Sequence, residues 1–387
     1  MTILARSKRA RAGPGWVLYL SALVATLLLF LFPLHRWFAE RGGRWLFILL
    51  FSLLLSFLLV RPIRAFARQR GILDVPDRRK LHGEPIPLLG GLAIYTAFIV
   101  SLLANSILSP AVAALLLAGS AVMAVSLFDD VWPLPAALKL AVIVLATLVV
   151  VYFGISLTLF PTRTVWGQAL NVLLTVLWVV GITSAMNFFD GMDGLAAGLA
   201  AITAFFLGVI AYQSHQVFLG WVSAALLGST LGFLPYNFRP GQRATIFLGD
   251  AGSNFLGFIL ASLAVLGEWA ENHVVDLAAP LLIFGVFIYD MIYITADRVL
   301  TGRVRSFAEW IEYVGRDHLH HRLEAVLGRP EYAVLFIFGM NAVLGVSAAV
   351  LLMASPFSTW LLLLQAIVIL LMVTILERRG RRTSRDP

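Results

Sequence analysis

The chain contains no cysteine. That excludes disulfides, thiolate metal ligands and cysteine nucleophiles. Lysine is nearly as scarce, with only Lys8, Lys80 and Lys139 among 29 basic residues. Charge of either sign is thin, since Asp, Glu, Lys and Arg make up 13% of 387 residues. A soluble domain carries about 25% charged residues, so this composition excludes an ordinary solvated globule. No early stretch reads as a cleavable leader: ARSKRARAG runs into a long apolar stretch with no small-residue cleavage pattern at its end, which is expected to be a retained span. What is present is apolar, with 60% hydrophobic residues and a mean hydropathy of +0.90. Such a chain is a polytopic integral membrane protein. It is expected to be all-α, because every backbone group in lipid has to be satisfied within its own segment.

A helix needs about 20 apolar residues to cross the hydrocarbon core. Candidate spans lie near 16–33, 44–60, 88–108, 110–128, 136–153, 169–186, 195–212, 216–234, 254–267, 277–295, 332–353 and 358–376. That gives about 11–12 transmembrane helices, with a weak boundary between the third and fourth at NSILSP. The basic residues are distributed unevenly over the loops. The N-terminal tail, loops 61–87, 235–250 and 297–331, and the C-terminal tail hold 24 of them, while the opposite side holds only Arg36, Arg41, Arg44 and Arg163. The positive-inside rule then places both termini in the cytoplasm.

Sidedness also gathers the polar stretches. RGILDVPDRRKLHGEPIPLLGG, FDDVWPLP, NFFDGMDG, PYNFRPGQRATIFLGDAGS and the Arg/His loop all fall on the cytoplasmic face. The net charge of +8 suits contact with anionic lipid or anionic substrates. It does not suit nucleic acid, because the basic residues flank spans instead of covering one soluble face. Neither an internal repeat nor a low-complexity tract is evident.

Each cluster has a chemical and a plain reading. Asp129 and Asp130 end an apolar helix ahead of Trp132 and Pro133; they are either a polar helix end or a reactive pair that needs a cation nearby. Lys139 lies inside the next span, where a lysine faces a cavity or a counter-ion, or snorkels. In NFFDGMDG, Asn187, Asp190 and Asp193 are spaced three apart. Such oxygen ligands suit Mg²⁺, which takes one or two carboxylates plus substrate phosphates; the alternative is an Asp/Gly turn. Asp250 in FLGDAGS opens a span, where helix amides could meet phosphate, or where Asp250 or Ser253 serves as an N-cap. His318, His320 and His321 come with Arg316 and Arg322. Without Cys, this set argues for an anion clamp over a zinc site. Lys80 and His82 sit in a basic loop suited to a lipid phosphate or head group. Together these are the parts needed to move a phosphoryl group between anions.

The stretches DVPDRRKLHGEPIPLLGG, FDD, NFFDGMDGLAAG, NFRP, FLGDAGS and HLHHRL resemble the polyprenyl-phosphate N-acetylhexosamine-1-phosphate transferase family. They run from Asp74 to about Leu323 in the family's order. The chain is most similar to the undecaprenyl-phosphate GlcNAc-1-phosphate transferase branch, whose members start O-antigen, enterobacterial common antigen or teichoic-acid linkage units. The peptidoglycan branch, which transfers phospho-MurNAc-pentapeptide, differs in the first and last of these loops.

The resemblance implies an enzyme of the bacterial inner membrane that uses Mg²⁺, or Mn²⁺ in its place. It would join UDP-GlcNAc to undecaprenyl phosphate with release of UMP, and a homodimer is compatible. By position, Asp250 and Asn187 are implied as metal ligands. Asp129 and Asp130 are implied at the lipid phosphate or the metal, and Lys139 at the diphosphate. Asp193 and Asn237 would line the nucleotide site. His318, His320, His321, Arg322 and Arg305 would close over the sugar diphosphate, and Lys80 and His82 would lie near the lipid phosphate entrance.

Two departures stand out. The family usually has about eleven spans, so residues 1–40 are expected to be an extra anchor, ahead of a catalytic core over 41–331 and C-terminal spans with a basic tail over 332–387. The last loop also reads Ser306–Phe307 without the usual proline, which bears on which UDP-sugar is used. A lipid or anion transporter is the rival from another class. It is disfavoured by acids at one face and not at the midplane.

Overall fold

The computed structural model describes residues 15–31, 34–75, 85–306 and 317–383, together with 309, 310, 313 and 315. Lys80, His82 and Arg316 lie outside the described residues. The fold is all-α and polytopic. Its helices are α1 (Trp16–Leu31), α2 (Leu34–Glu40), α3 (Arg44–Arg70), α4 (Gly90–Ala104), α5 (Pro110–Val131), α6 (Ala136–Tyr152), α7 (Val165–Phe188), α8 (Leu195–Gln213), α9 (Val217–Asn237), α10 (Gly249–Leu266), α11 (His273–Ile283), α12 (Gly285–Leu300), α13 (Leu319–Leu327), α14 (Pro330–Leu351) and α15 (Pro356–Thr383). A two-residue hairpin, β1 (Leu73–Asp74) with β2 (Ile86–Pro87), is antiparallel with Leu73 opposite Pro87.

Each expected span coincides with a helix or a helix pair. Among the described residues, eight helices are long and apolar enough to cross a membrane, or nine if the bent pair α11–α12 is one span; α1, α4 and α6 are shorter apolar helices. The doubtful boundary at NSILSP is a real break. Ser106 takes a positive φ of 54°, and the Ser109 hydroxyl accepts from the Val112 N–H at 3.2 Å, capping α5 with Pro110 in its first turn. The expected span 277–295 is corrected: it is two helices bent by 74° around Phe284.

Helix α10 sits at the centre, with 89% of its apolar window buried, whereas α15 lies at the edge with 17%. Helix α1 runs antiparallel to α3. The Tyr19 hydroxyl donates to the Leu58 carbonyl at 3.2 Å, and Arg61 lies over the rings of Trp16 and Tyr19 at 4.4 and 4.2 Å. The start of α1 therefore lies at the same end of the bundle as Arg61. At the opposite end, the Arg44 guanidinium lies 4.0 Å over the Trp221 ring.

Candidate active site

The loops after α5, α7 and α9 meet at one end of the bundle, together with β2 and the start of α13. Backbone pairing ties β2 to the loop before α10: the Phe247 N–H donates to the Pro87 carbonyl at 2.8 Å, and Gly90 and Gly91 donate to Phe247 and Leu248, each at 2.9 Å.

Lys139 is the hub. From the first turn of α6 its Nζ donates to Asp129 Oδ2 at 2.7 Å and to Asp250 Oδ2 at 3.0 Å. One ammonium thus joins the end of α5 to the start of α10. The other Asp129 oxygen accepts from the Leu134 N–H at 2.7 Å, which folds the short α5–α6 turn back onto the carboxylate. The half-buried ammonium and its two carboxylates satisfy one another, which makes their partial burial tolerable.

Asp130 has a different occupation. Its two oxygens accept from the N–H groups of Asp250 and Ala251, at 2.9 and 3.2 Å. The N-terminal amides of α10 are therefore capped from another helix. This corrects the expectation that Asp250 or Ser253 caps α10 itself, and those two amides are not open to phosphate. Gly249 precedes them with φ +78°, and a Cβ there would come within 2.6 Å of Asp130 Oδ2, so only glycine fits.

The NFFDGMDG segment crosses in front of this pair. Asn187 donates from Nδ2 to the Ser253 hydroxyl at 3.0 Å. Asp190, left unassigned by the sequence, has Asp250, Asp130 and Asp193 as its electrostatic neighbours. Asp193 accepts from the Ala244 N–H at 2.8 Å. Asn237 is 3% exposed. Its Oδ1 accepts from the Gly194 N–H at 2.9 Å and its Nδ2 donates to the Ile246 carbonyl at 3.0 Å. Asp193 and Asn237 together lace the segment to the loop before α10.

The histidines pack on the other side of the same segment. The His318 ring lies 4.7 Å from Phe188, and His320 lies 6.0 Å from both Phe189 and His318. A Cβ on Gly191 would come within 2.7 Å of His320 Nε2, so this imidazole rests against the backbone of the DG turn. His321 lies 4.2 Å from His320, ring to ring, and 3.8 Å from the Glu324 carboxylate.

Arg322 departs from its expected place. It is 3% exposed, and its Nη2 lies 3.3 Å from Asp290 Oδ1, its Nε 2.8 Å from Glu377. It is thus held inside the protein and does not face the carboxylate cluster. Arg305 is exposed; its backbone N–H donates to Glu309 at 2.7 Å. Asp290 also takes His318 Nδ1 at 2.8 Å and the Leu319 N–H at 2.7 Å. Arg298 forks onto Asp317 with two contacts of 2.8 Å. Burial pushes the Asp317 carboxyl up, but the Arg298 guanidinium outweighs it and holds the group below the usual carboxylate range.

Asp290, Glu377, Arg298 and Asp317 were not among the expected site residues. For Asp290 a signal existed, since an acid inside an apolar run is a functional candidate by default.

Comparison with known proteins places the chain in a family. The family described as Glycosyl transferase family 4 matches residues 112–268, which hold Asp129 through Asp250. A Bacillus subtilis protein named as a probable undecaprenyl-phosphate N-acetylglucosaminyl 1-phosphate transferase is 33% identical, over 84% of this chain and 90% of its own length. A decaprenyl-phosphate N-acetylglucosaminephosphotransferase of Mycolicibacterium smegmatis is also 33% identical, over 84% and 87%. An undecaprenyl-phosphate alpha-N-acetylglucosaminyl 1-phosphate transferase of Thermotoga maritima is 27% identical, over 73% and 84%. With this identity sustained over most of both chains, the protein belongs to the polyprenyl-phosphate N-acetylhexosamine-1-phosphate transferase family, in its N-acetylglucosaminyl branch.

Proposed function

We propose that this protein transfers GlcNAc-1-phosphate from UDP-GlcNAc to undecaprenyl phosphate, giving undecaprenyl-diphospho-GlcNAc and UMP, with its polar end in the cytoplasm. The observation that carries the reading is the Lys139 ammonium between Asp129 and Asp250 where the polar loops meet. Two anions have to be brought together for this reaction, and a site that holds a cation among several acids is built to do that.

An oxygen of the lipid phosphate attacks the β-phosphorus of the UDP-sugar. The bond from that phosphorus to the bridging oxygen breaks, and UMP leaves with the electron pair. The lipid phosphate is already ionised near neutral pH, so a single displacement without an aspartyl-phosphate is preferred. Lys139 offsets charge on the diphosphate. Asp129 orients Lys139, and Asp130 fixes the turn that presents Asp250. His318, His320 and His321 border the sugar side.

Asp250 and Asn187 are the residues that would hold Mg²⁺, or Mn²⁺ in its place. Both offer hard oxygen donors, and Asn187 commits its Nδ2 to Ser253, leaving Oδ1 for a cation. Among the described residues no group of three or more His, Asp or Glu is arranged for a metal. That suits an ion that takes one or two carboxylates and completes its shell with substrate phosphate and water. Bound there, it would supply charge neutralisation at the diphosphate.

One apolar surface is the candidate for the lipid chain. A largely apolar groove of about 450 Å³, lined by Leu281, Ile288, Tyr289, Ile292, Tyr293 and Leu370, runs along the bent pair α11–α12 beside α15. Residues 1–40 are read as an anchor added to the core.

The test is purified protein with Mg²⁺, undecaprenyl phosphate and a panel of radiolabelled UDP-sugars. Lipid-linked label and UMP are expected, with UDP-GlcNAc the best donor. Label transferred only from another UDP-sugar would correct the donor, and no lipid-linked product with any donor would overturn the reading.

A further inference from the structure

Helix α15 lies at the edge of the bundle, yet it sends one acid into the interior. Glu377 is 1% exposed, and its Oε2 lies 2.8 Å from Arg322 Nε. Arg322 is also gripped by Asp290 of α12 at 3.3 Å, donates from Nη1 to the Asp317 carbonyl at 3.0 Å, and lies 3.9 Å over the ring of Tyr293. Contacts from three separate segments thus hold one guanidinium in position. Arg322 stands in the first turn of α13, directly after His318, His320 and His321. Asp290 holds the same turn by a second route, through His318 Nδ1 and the Leu319 N–H. One turn before Glu377 on the same face of α15, Thr374 bonds the Tyr289 hydroxyl of α12 at 2.8 Å. The register of α15 against α12 is therefore set where Glu377 enters.

We propose that Glu377 is a positioning residue for the transfer reaction: it clamps Arg322 from the last helix and so sets the rotation of the α13 start that presents His318 and His320. The proposal rests on the reading that these histidines serve the transfer. Packing alone is a poor account of this contact. A buried ion pair stabilises no better, and often worse, than apolar side chains of the same volume, and the stretch of α15 leading to Glu377, from Trp360 to Leu376, is apolar apart from Gln365 and Thr374. A guanidinium held between carboxylates of two different helices instead ties both helices to the start of α13, and an active-site segment needs its orientation held to a fraction of an ångström.

The test uses the full-length protein in detergent with undecaprenyl phosphate and UDP-GlcNAc. Glu377→Gln is expected to lower kcat by about 10- to 100-fold, as small misplacements of reacting groups do, with KM for undecaprenyl phosphate changed less than about twofold. Hydrogen exchange is expected to quicken in residues 317–323 and to stay unchanged in α10. Glu377→Asp, which keeps the charge, is expected to recover part of kcat. Wild-type kcat in Glu377→Gln overturns the proposal. So does a loss accompanied by faster exchange throughout the bundle, which is ordinary destabilisation. The double variant Arg322→Met with Glu377→Leu guards against misfolding: an apolar pair that restores wild-type kcat also overturns the clamp. His320→Ala, measured alongside, separates the two levels. If it is fully active, the reading beneath the proposal fails, whatever the exchange data say of Arg322.

Discussion

Asp130 caps the helix that begins with Asp250: its carboxylate oxygens accept from the N–H groups of Asp250 and Ala251 at 2.9 and 3.2 Å. Asp129, its neighbour in the chain, instead takes the Lys139 ammonium at 2.7 Å. Two adjacent acids therefore do different work, one on a backbone and one on a side chain. Asp130→Ala is expected to lose the cap, at a cost of about 1 kcal/mol in stability, and to lower kcat because Asp250 is no longer held. Asp129→Asn keeps that cap, so its melting temperature is expected to stay near wild type while kcat falls. Thermal unfolding and initial rates on the two variants check this. Equal melting temperatures with equal rates would contradict the division of labour.

Lys139 neutralises Asp129 and Asp250 together. Lys139→Gln leaves both carboxylates without that cation, and kcat is expected to drop by about 10²–10³-fold, the scale for losing one preorganised electrostatic contact. Lys139 also competes with any cation for Asp250. The Mg²⁺ concentration for half-maximal rate is therefore expected to hold or fall in Lys139→Gln, and to rise in Asp250→Asn. Titrating Mg²⁺ after chelation with EDTA measures both. A rise in Lys139→Gln would mean that the ammonium helps recruit the metal.

Much of this architecture was legible in the sequence, for identifiable reasons. Apolar runs near 20 residues give spans whatever the tertiary contacts, so every expected span coincides with a helix or a bent pair. Sidedness gathered the polar loops on one face; in the structure hydrogen bonds link the segments around Lys139, Gly194, Asn237 and Asp250 and β2 at one end of the bundle, and the histidines pack against the rings of Phe188 and Phe189. Partner choice was not legible. Nothing in FDDVW says which acid turns to Lys139 and which reaches over 100 residues on to cap α10. Arg322 was expected at the substrate because it follows the histidines; its burial depends on Asp290 and Glu377, distant in sequence. The 74° bend at Phe284 also escaped, because an apolar run looks the same whether its helix is straight or broken.

Asn237 was expected to line a nucleotide site, yet both ends of its amide are bonded to backbone, at Gly194 and Ile246. Asn237→Ala would strand a buried N–H and a buried carbonyl, each costing about 1–3 kcal/mol. The expected outcome is a lower melting temperature and slower turnover, because the loop carrying Asp193 and the loop before Asp250 come apart. A raised KM for the UDP-sugar at an unchanged melting temperature would restore the nucleotide-binding role.

Asp317 supplies a pH test outside the spans. Burial alone would raise its carboxyl, but Arg298 outweighs that and holds it below the ordinary value of 3.8. A group whose folded pKa is depressed adds stability that is complete above its unfolded pKa and is lost as pH falls through the folded one. Wild type is therefore expected to unfold at a higher temperature than Asp317→Asn at neutral pH. The gap should stay constant down to about pH 5 and close progressively below it, as the unfolded carboxyl and then the folded one take up protons. Melting curves of both proteins from pH 7 to pH 3 measure it. A gap that persists unchanged at the acid end would mean that the Asp317 charge, and with it the Arg298 fork, contributes nothing to holding this loop. The loss would then come from the shape of the side chain alone.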